Sequence, residues 1–308
     1  MKDERTGFGD EVDVEGDSLP RYINPLNDWG FKRLFGTEVN KEFLVAFLTE
    51  IFPDKRIKDI SYLPTEQLGL ASGDRNARFD VMCKGESGEK FIVEVQLAYQ
   101  KHFRERALYY SGMVLHSQGM KGKKWDYNIK GVYFVGLQNF SFGPEKGGGL
   151  IRRYSVREDK SGELMTDKLR FVFIEIGRFD KTPEELKTNL DKWFYVLKNL
   201  HSLLERPAAL VDRIFRRFFE AAEVTSLTND EKKQYVSNMI NERDTYNQIA
   251  YAREFGREEG IKQGVEQGKV AEREAIALRM IGANTPIEFI IKCTGLDKAA
   301  VEALVHKK

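Results

Sequence analysis

The fold of this chain is decided by two stretches of sequence, RFDVMC at residues 78–83 and FIVEVQ at residues 91–96. Both are rich in β-branched and aromatic residues, and the segment between them contains the glycines and the serine that are typical of a hairpin connection. Because side chains alternate across a strand, Glu94 and Gln96 project from one face, and Asp80 on the paired strand can project beside them. The sequence therefore predicts a hairpin that brings two carboxylates together.

Carboxylates on adjacent strands suit a hard divalent cation. Mg²⁺ takes oxygen ligands, keeps several waters and usually needs only one or two protein carboxylates plus substrate phosphate oxygens. Asp80 and Glu94 lie in otherwise hydrophobic strands, where an unpaired charge is costly unless a metal or a partner compensates it. The alternative is that both residues lie on a solvated face, as charged residues do in many antiparallel hairpins.

An Asp followed by Glu-x-Gln on the next strand resembles the motif of the PD-(D/E)XK nucleases, with Gln96 where the commonest form has lysine. Other stretches look like one family of these nucleases, the Rpn recombination-promoting nucleases, which are also labelled PD-(D/E)XK nuclease family transposases. The resemblance covers roughly residues 20 to 290. It is carried by the hairpin together with NPLNDWGFKRLFG at residues 24–36, residues 44–52, FRERALYY at residues 103–110 and the Gly-spaced tail at residues 253–269.

The resemblance implies a mixed α/β (α+β) fold with a restriction-endonuclease-like core, in which a central mixed sheet is flanked by helices, and a helical C-terminal region. The order of helical and strand patterns along the sequence agrees with this core. Apolar residues recur at helical spacing over residues 28–52, and residues 102–118 have one apolar helical face. Besides the hairpin, strands are predicted near residues 57–63, 67–70, 129–137, 154–157 and 169–176.

The resemblance also implies Mg²⁺ or Mn²⁺ as the cofactor, held by Asp80, Glu94 and the backbone carbonyl of Val95. The ion would polarise a scissile phosphate and help to generate hydroxide. Gln96 can orient the attacking water, but a neutral amide cannot stabilise negative charge as an ammonium group does. We therefore expect a further cation to contribute to catalysis.

Lys32 and Arg104 are candidates for contacting the phosphate. Lys32 lies four residues after Asp28, and Arg104 lies on the helix that follows the hairpin. A surface salt bridge or a solvated face is the alternative for both. Asp28 is a candidate catalytic acid near the metal, and the alternative is an acidic residue stabilised by the dipole at a helix N-terminus.

A basic and aromatic stretch at residues 99–130 is the predicted DNA-binding surface. Cations contact phosphates, and aromatic rings stack on unpaired bases. The alternative is a solvated helix face with core-facing tyrosines. Few base-reading elements are evident, so limited sequence specificity is expected. The predicted nucleic-acid-binding residues are Lys101, Arg104, Arg106, Lys121, Lys123 and Lys124.

Composition limits the class of protein. The 308 residues are 41% hydrophobic, which is enough for a substantial core. The formal net charge is only +1, so local charge must attract any nucleic acid. Two cysteines without a paired spacing, together with the lack of an apolar signal segment or a long apolar run, predict a soluble cytoplasmic protein with no membrane partner.

Four regions are expected along the chain. Residues 1–20 are rich in acidic residues and glycine and predict a flexible arm. Residues 21–180 correspond to the nuclease-like core. Residues 181–252 form a helical bundle extension, in which T-P-E-E at residue 182 and T-N-D-E at residue 228 are capping boxes. Residues 253–308 contain a Gly-spaced helix and a helical hairpin, and this region is the predicted dimerisation region.

The tail has a glycine every fourth residue, at Gly256, Gly260, Gly264 and Gly268. On a helix these positions form a stripe without side chains, along which two backbones can approach closely. Each glycine costs about 1 kcal/mol of helix stability relative to alanine, so packing against another helix or a second copy is expected to compensate. A frayed, solvated linker is the alternative.

These features predict a metal-dependent DNA endonuclease of low sequence specificity, with a link to recombination or mobile elements implied by the resemblance. A homodimer would place two metal sites about a two-fold axis and allow both strands to be cut. The alternative function is a transposase-derived DNA-binding or assembly protein without significant cleavage. RNA is a third option for the substrate.

Overall fold

The computed structural model describes residues 19–67, 77–119, 126–140 and 149–306. These residues belong to two compact units, of which the first ends at Glu242 and the second begins at Arg243. The predicted flexible arm lies outside the described residues, except for Leu19 and Pro20. The four-region division expected from the sequence stays a prediction.

A six-stranded mixed sheet forms the centre of the first unit, with the strand order β1-β4-β5-β6-β8-β7. Strands β5, β6 and β8 are parallel, whereas the β1–β4, β4–β5 and β7–β8 pairs are antiparallel. A separate antiparallel pair joins β2 to β3. The strands are β1 (Ile60–Tyr62), β2 (Glu66–Gln67), β3 (Ala77–Arg78), β4 (Val81–Gly85), β5 (Lys90–Gln96), β6 (Val132–Gln138), β7 (Ile151–Ser155) and β8 (Leu169–Glu175).

Helices cover both faces of this sheet. Residues Val93 and Val135 face the larger core, to which α1, α2, α4 and α5 contribute, whereas Ile92 and Phe134 face a smaller core beneath α3. The mixed α/β architecture predicted from the sequence is confirmed. The helices are α1 (Asp28–Phe35), α2 (Lys41–Ile51), α3 (Phe103–His116), α4 (Asn189–Asn199), α5 (Arg213–Ala222) and α6 (Asn229–Gly282).

The predicted hairpin is present as β4 and β5, with Val81 paired to Val93 and Lys84 to Lys90. Its turn contains Gly88 in the left-handed region, at φ 90°, which glycine adopts without a steric penalty. The first predicted strand, however, is interrupted between β3 and β4. At this point the Phe79 amide donates to the Thr65 carbonyl instead of continuing the β4–β5 ladder.

Side-chain caps begin the later helices. Both predicted capping boxes are present, since the Thr182 amide donates to Glu185 at 2.8 Å and the Thr228 amide donates to Glu231 at 2.9 Å. A third, at Thr188, begins α4 and uses an aspartate in place of the usual glutamate or glutamine.

The second unit contains the C-terminal part of α6, followed by α7 (Ile287–Thr294) and α8 (Lys298–His306). Ala277, Ile290 and Val301 form its small core. The tail glycines are exposed on α6, and a Cβ built on any of Gly256, Gly260, Gly264 and Gly268 would meet no atom of the described residues within 4 Å. None of the helices in the described ranges combines the length and apolarity needed to cross a bilayer.

Candidate active site

The carboxylates of Asp80 and Glu94 each accept a hydrogen bond from a backbone amide on the opposite side of the hairpin. The Asp80 amide donates to Glu94 Oε1 at 3.1 Å, and the Val95 amide donates to Asp80 Oδ2 at 2.8 Å. Asp80 immediately precedes β4, where the break after β3 leaves its amide available for this bond. The two carboxylates predicted from the hairpin are therefore adjacent, and each has one oxygen fixed by a backbone N–H group.

Both carboxylates are shielded from water. Glu94 is 4% exposed, and the Asp80 side chain is 19% exposed. Burial raises the pKa of Glu94, and the neighbouring Asp80 charge raises this pKa further. Burial likewise raises the pKa of Asp80, with an additional contribution from Asp28, although the Val95 N–H group opposes this shift. Two ionised carboxylates at this position thus require a compensating cation.

Helix α1 supplies Asp28 and Lys32 to the same site. Lys32 Nζ lies 2.6 Å from Asp28 Oδ1 and 3.9 Å from Asp80 Oδ1. Asp28 lies in the first turn of α1, as one of the two sequence interpretations expected, and its carboxylate lies close enough to Asp80 to raise the pKa of that residue. The Lys32 and Asp28 side chains remain 42% and 49% exposed, which leaves them accessible to a substrate.

Helix α3 brings Arg106 to the other side of the carboxylates. One guanidinium nitrogen, Nη2, lies 3.0 Å from Gln96 Oε1 and 3.7 Å from Glu94 Oε2, and the other, Nη1, donates to Gln100 Oε1. The guanidinium also lies 5.0 Å from the centroid of the Phe103 ring. The sequence prediction placed Arg106 only among DNA contacts, whereas the structure places it against Glu94 and Gln96.

A hydrogen-bonded face of α6 holds α1 in position. Glu242 Oε2 accepts from Asn27 Nδ2 at 2.7 Å, and Glu242 Oε1 accepts from the Asp28 amide at 3.2 Å. Burial raises the pKa of Glu242 to about 7. The sequence prediction overlooked Glu242 and Asn27. The remaining contacts of this face are Glu231 with Arg33, Gln234 and Asn238 with Trp29, and Tyr235 with the Asn24 amide.

The other predicted DNA contacts differ in their surroundings. Arg104 lies over the Tyr154 ring, with its guanidinium carbon 5.6 Å from the centroid, on the side of the sheet that carries β7. Lys101 is exposed in the turn before α3. Lys121, Lys123 and Lys124 lie outside the described residues, and their role stays a prediction.

The comparison with protein families identifies the chain. Residues 25–252 match the family described as PD-(D/E)XK nuclease family transposase, and this match spans the sheet, α1, α3 and the hairpin with its two carboxylates. The chain belongs to this family. The resemblance noted from the sequence is thereby confirmed. The chain matches no curated protein and no solved structure in the corresponding comparisons.

Membership in the PD-(D/E)XK nuclease family transposases gives the chain a nuclease-related or transposase-related role, and this superfamily generally uses divalent metals. The donor set of the site fits such an ion, because the second oxygens of Asp80 and Glu94 lie 3.9 Å from Lys32 Nζ and 3.7 Å from Arg106 Nη2, which is beyond hydrogen-bond distance. Among the described residues, no group of three or more His, Cys, Asp and Glu side chains is arranged to hold a metal. Two carboxylates satisfy Mg²⁺ when water and phosphate oxygens complete its shell.

Proposed function

We propose that this member of the PD-(D/E)XK nuclease family transposases is a metal-dependent DNA endonuclease of low sequence specificity that acts in recombination or on mobile elements. The observation that carries the proposal is the buried pair of adjacent carboxylates, Asp80 and Glu94, with a cation on either side. Burial makes their negative charge costly without a further positive charge, and a divalent ion supplies that charge.

Asp80, Glu94 and the Val95 carbonyl are the proposed ligands of Mg²⁺ or Mn²⁺. The N–H and C=O groups of one strand residue point to the same side of the strand, and the Val95 N–H group points to Asp80. The Gln96 carbonyl accepts from the Asn139 amide on the opposite side of β5, which fits this alternation. An ion held by these residues would polarise the scissile phosphate and lower the pKa of a water molecule.

The polypeptide orients this site and attracts the nucleic acid. Lys32 holds Asp28 beside Asp80 and contributes positive charge at the exposed edge of the site. Lys101, Arg104, Lys121, Lys123 and Lys124 are proposed to contact phosphates. Phosphate contacts carry no sequence information by themselves, which accounts for the proposed low specificity.

The exposed glycine stripe of α6 supports the proposed homodimer. Four glycines on one helix are destabilising by themselves, and a second copy that packs along them would compensate for this cost. Two copies would present two metal sites to a duplex. The cytoplasmic location expected from the sequence stays a prediction.

Cleavage assays test the proposed function directly. Wild-type protein is incubated with supercoiled DNA, linear DNA and RNA in the presence of Mg²⁺, Mn²⁺ or a chelator. Asp80→Asn and Glu94→Gln remove one charge each but keep an acceptor oxygen for the backbone N–H groups, so the hairpin is expected to remain folded. The matched control is Glu105→Gln, which changes a 70% exposed carboxylate on α3.

The expected result is nicking of DNA that requires the cation, is lost in Asp80→Asn and Glu94→Gln, and is retained in Glu105→Gln. DNA binding without cleavage under every condition would favour the DNA-binding or assembly role instead. Cleavage of RNA in preference to DNA would reassign the substrate. Cleavage that survives both site variants would contradict the assignment of Asp80 and Glu94.

A further inference from the structure

We infer that Arg106 is a catalytic residue of this site, whose guanidinium contacts the scissile phosphate, and that Gln96 acts by positioning Arg106. The inference rests on the proposed nuclease function. It assigns a role that the sequence alone did not suggest for either residue, because Gln96 was expected to orient water and Arg106 to bind DNA outside the site.

The charge balance of the site requires such a group. Asp28, Asp80 and Glu94 bring three carboxylates to the place where a phosphodiester must bind. Lys32 is largely neutralised by Asp28, from which it lies only 2.6 Å away. The proposed divalent ion balances Asp80 and Glu94, so a further protein cation would serve to stabilise the negative charge that develops on the phosphate.

Arg106 has the contacts expected of that cation. Its hydrogen bonds go to the neutral amide oxygens of Gln96 and Gln100, and its distance to Glu94 Oε2 is 3.7 Å. No short ion pair of Arg106 is present in the described part of the chain, so its positive charge is only weakly compensated. A guanidinium group also presents a planar set of donors that matches two oxygens of a phosphate.

The Arg106 side chain is held in place but remains accessible. Its guanidinium carbon lies 5.0 Å from the centroid of the Phe103 ring and 5.9 Å from that of the Tyr110 ring. The Arg106 side chain is 28% exposed, so it is accessible from solvent. A charge that is positioned before the substrate binds needs little reorganisation during the reaction.

Gln96 is the positioning residue for Arg106. Strand alternation places Gln96 on the same face of β5 as Glu94, and its Oε1 atom accepts the 3.0 Å hydrogen bond from Arg106 Nη2. A lysine at position 96 would bring an ammonium group to this face directly. One positive charge therefore lies beside Glu94 in either of two arrangements. The first has lysine at position 96, and the second has glutamine at position 96 together with arginine at position 106.

This equivalence gives a sharp test with four variants of the full chain: Arg106→Gln, Arg106→Lys, the double variant Gln96→Lys with Arg106→Gln, and the control Arg216→Gln. Arg216 is exposed on α5. For each protein, kcat and KM for Mg²⁺-dependent DNA cleavage are measured. The Mg²⁺ concentration that gives half of the maximal rise in melting temperature is measured separately, without DNA.

We expect Arg106→Gln to lower kcat by about 100-fold, the usual effect of removing one donor to a transition-state charge. The kcat of Arg106→Lys should lie between those of Arg106→Gln and wild type, because lysine keeps the charge but lacks the planar donors. The kcat of the double variant should be at least about tenfold higher than that of Arg106→Gln, because the lysine introduced at position 96 restores the positive charge. The half-maximal Mg²⁺ concentration should not rise in Arg106→Gln, since Arg106 is not a ligand and the loss of a nearby positive charge does not disfavour a cation.

Two results would overturn the inference while leaving the proposed function intact. The first is wild-type-like kcat in Arg106→Gln, and the second is loss of activity in Arg106→Gln without recovery in the correctly folded double variant. A higher half-maximal Mg²⁺ concentration in Arg106→Gln would reassign Arg106 to support of the metal ligands and would also overturn the inference. If wild type itself lacks cleavage, both the proposed function and this inference fail together.

Discussion

Gly136 on β6 is the register partner of Glu94 on β5, and the space that a side chain would occupy at Gly136 is filled by two aromatic rings. A Cβ at Gly136 would lie 2.9 Å from Phe173 and 3.0 Å from Phe103. Phe103 begins α3 and contacts the Arg106 guanidinium. The absence of a side chain at Gly136 thus allows α3 to approach the sheet closely enough to place Arg106 beside Glu94.

The first prediction concerns this close approach. Gly136→Val should destabilise the protein by about 1–3 kcal/mol, because the added atoms overpack the space between β6 and α3. The free energy of unfolding, measured with urea, checks this. The control is Gly112→Ala on the exposed side of α3, where a Cβ meets nothing within 4 Å. This control should stabilise α3 by about 0.5–1 kcal/mol. Equal stabilities of Gly136→Val and wild type would contradict the packing argument.

The second prediction concerns the metal. Mg²⁺ should raise the melting temperature of wild type, because it compensates the buried charges of Asp80 and Glu94. At a Mg²⁺ concentration of 100 times Kd, binding should increase the free energy of unfolding by about 2.7 kcal/mol. The double variant Asp80→Asn with Glu94→Gln should melt at a higher temperature than wild type in chelator, since the costly charges are gone. The melting temperature of this double variant should not change when Mg²⁺ is added. Calorimetry with and without the ion measures both effects, and an equal response of the two proteins would exclude binding at this pair.

The third prediction concerns Glu242. Glu242→Ala should destabilise the first unit by about 1–3 kcal/mol, because the Asn27 amide is fully buried and would lose its acceptor. The folded pKa of Glu242 is raised to about 7, so its contribution is fully present below the ordinary carboxyl pKa and is lost as the pH rises through about 7. The stability deficit, which is the free energy of unfolding lost in Glu242→Ala relative to wild type, should therefore be larger at pH 5 than at pH 8.

Urea unfolding at the two pH values measures this deficit, and Asp244→Ala, at an exposed position of α6, provides the control. A deficit that grows with increasing pH would contradict the assignment of a raised pKa to Glu242.

The fourth prediction concerns the glycine stripe. A Cβ at Gly260 or Gly264 would meet no atom of the described residues within 4 Å, and each leucine would remove about 1 kcal/mol of helix penalty. Helical content should therefore be preserved, while the mass in solution should fall from that of a dimer to that of a monomer. Light scattering and circular dichroism measure the two quantities. An unchanged mass would show that the stripe is not the dimer interface.

Local sequence patterns were sufficient for much of the fold. The β-branched and aromatic residues of the segment 91–96 predict β5, and its pairing with β4 follows from the short connection between them. The proximity of Asp80 to Glu94 then follows from strand alternation. The break at Phe79 could not be predicted in this way, because it depends on a backbone hydrogen bond to Thr65, fourteen residues earlier.

The rest of the site depends on tertiary contacts. Arg106 reaches Gln96 only because Gly136 lets α3 lie close to β6, and no helical periodicity records that approach. Glu242 lies 214 residues after Asp28 in the chain. The spacing of Glu231, Gln234, Asn238 and Glu242 on one face of α6 is a detectable signal, but its partner can be identified only from the folded chain.

The reciprocal hydrogen bonds of Asp80 and Glu94 have a consequence for divergence within the family. Since each carboxylate binds a peptide N–H group of the opposite strand, the side chains replace part of the hairpin's own ladder. A slip of the strands by one residue would move Glu94 to the other face and break both bonds. A descendant of this chain that exchanges carboxylate for amide would therefore lose the proposed cleavage but keep its architecture, whereas a slipped register would disrupt the hairpin as well.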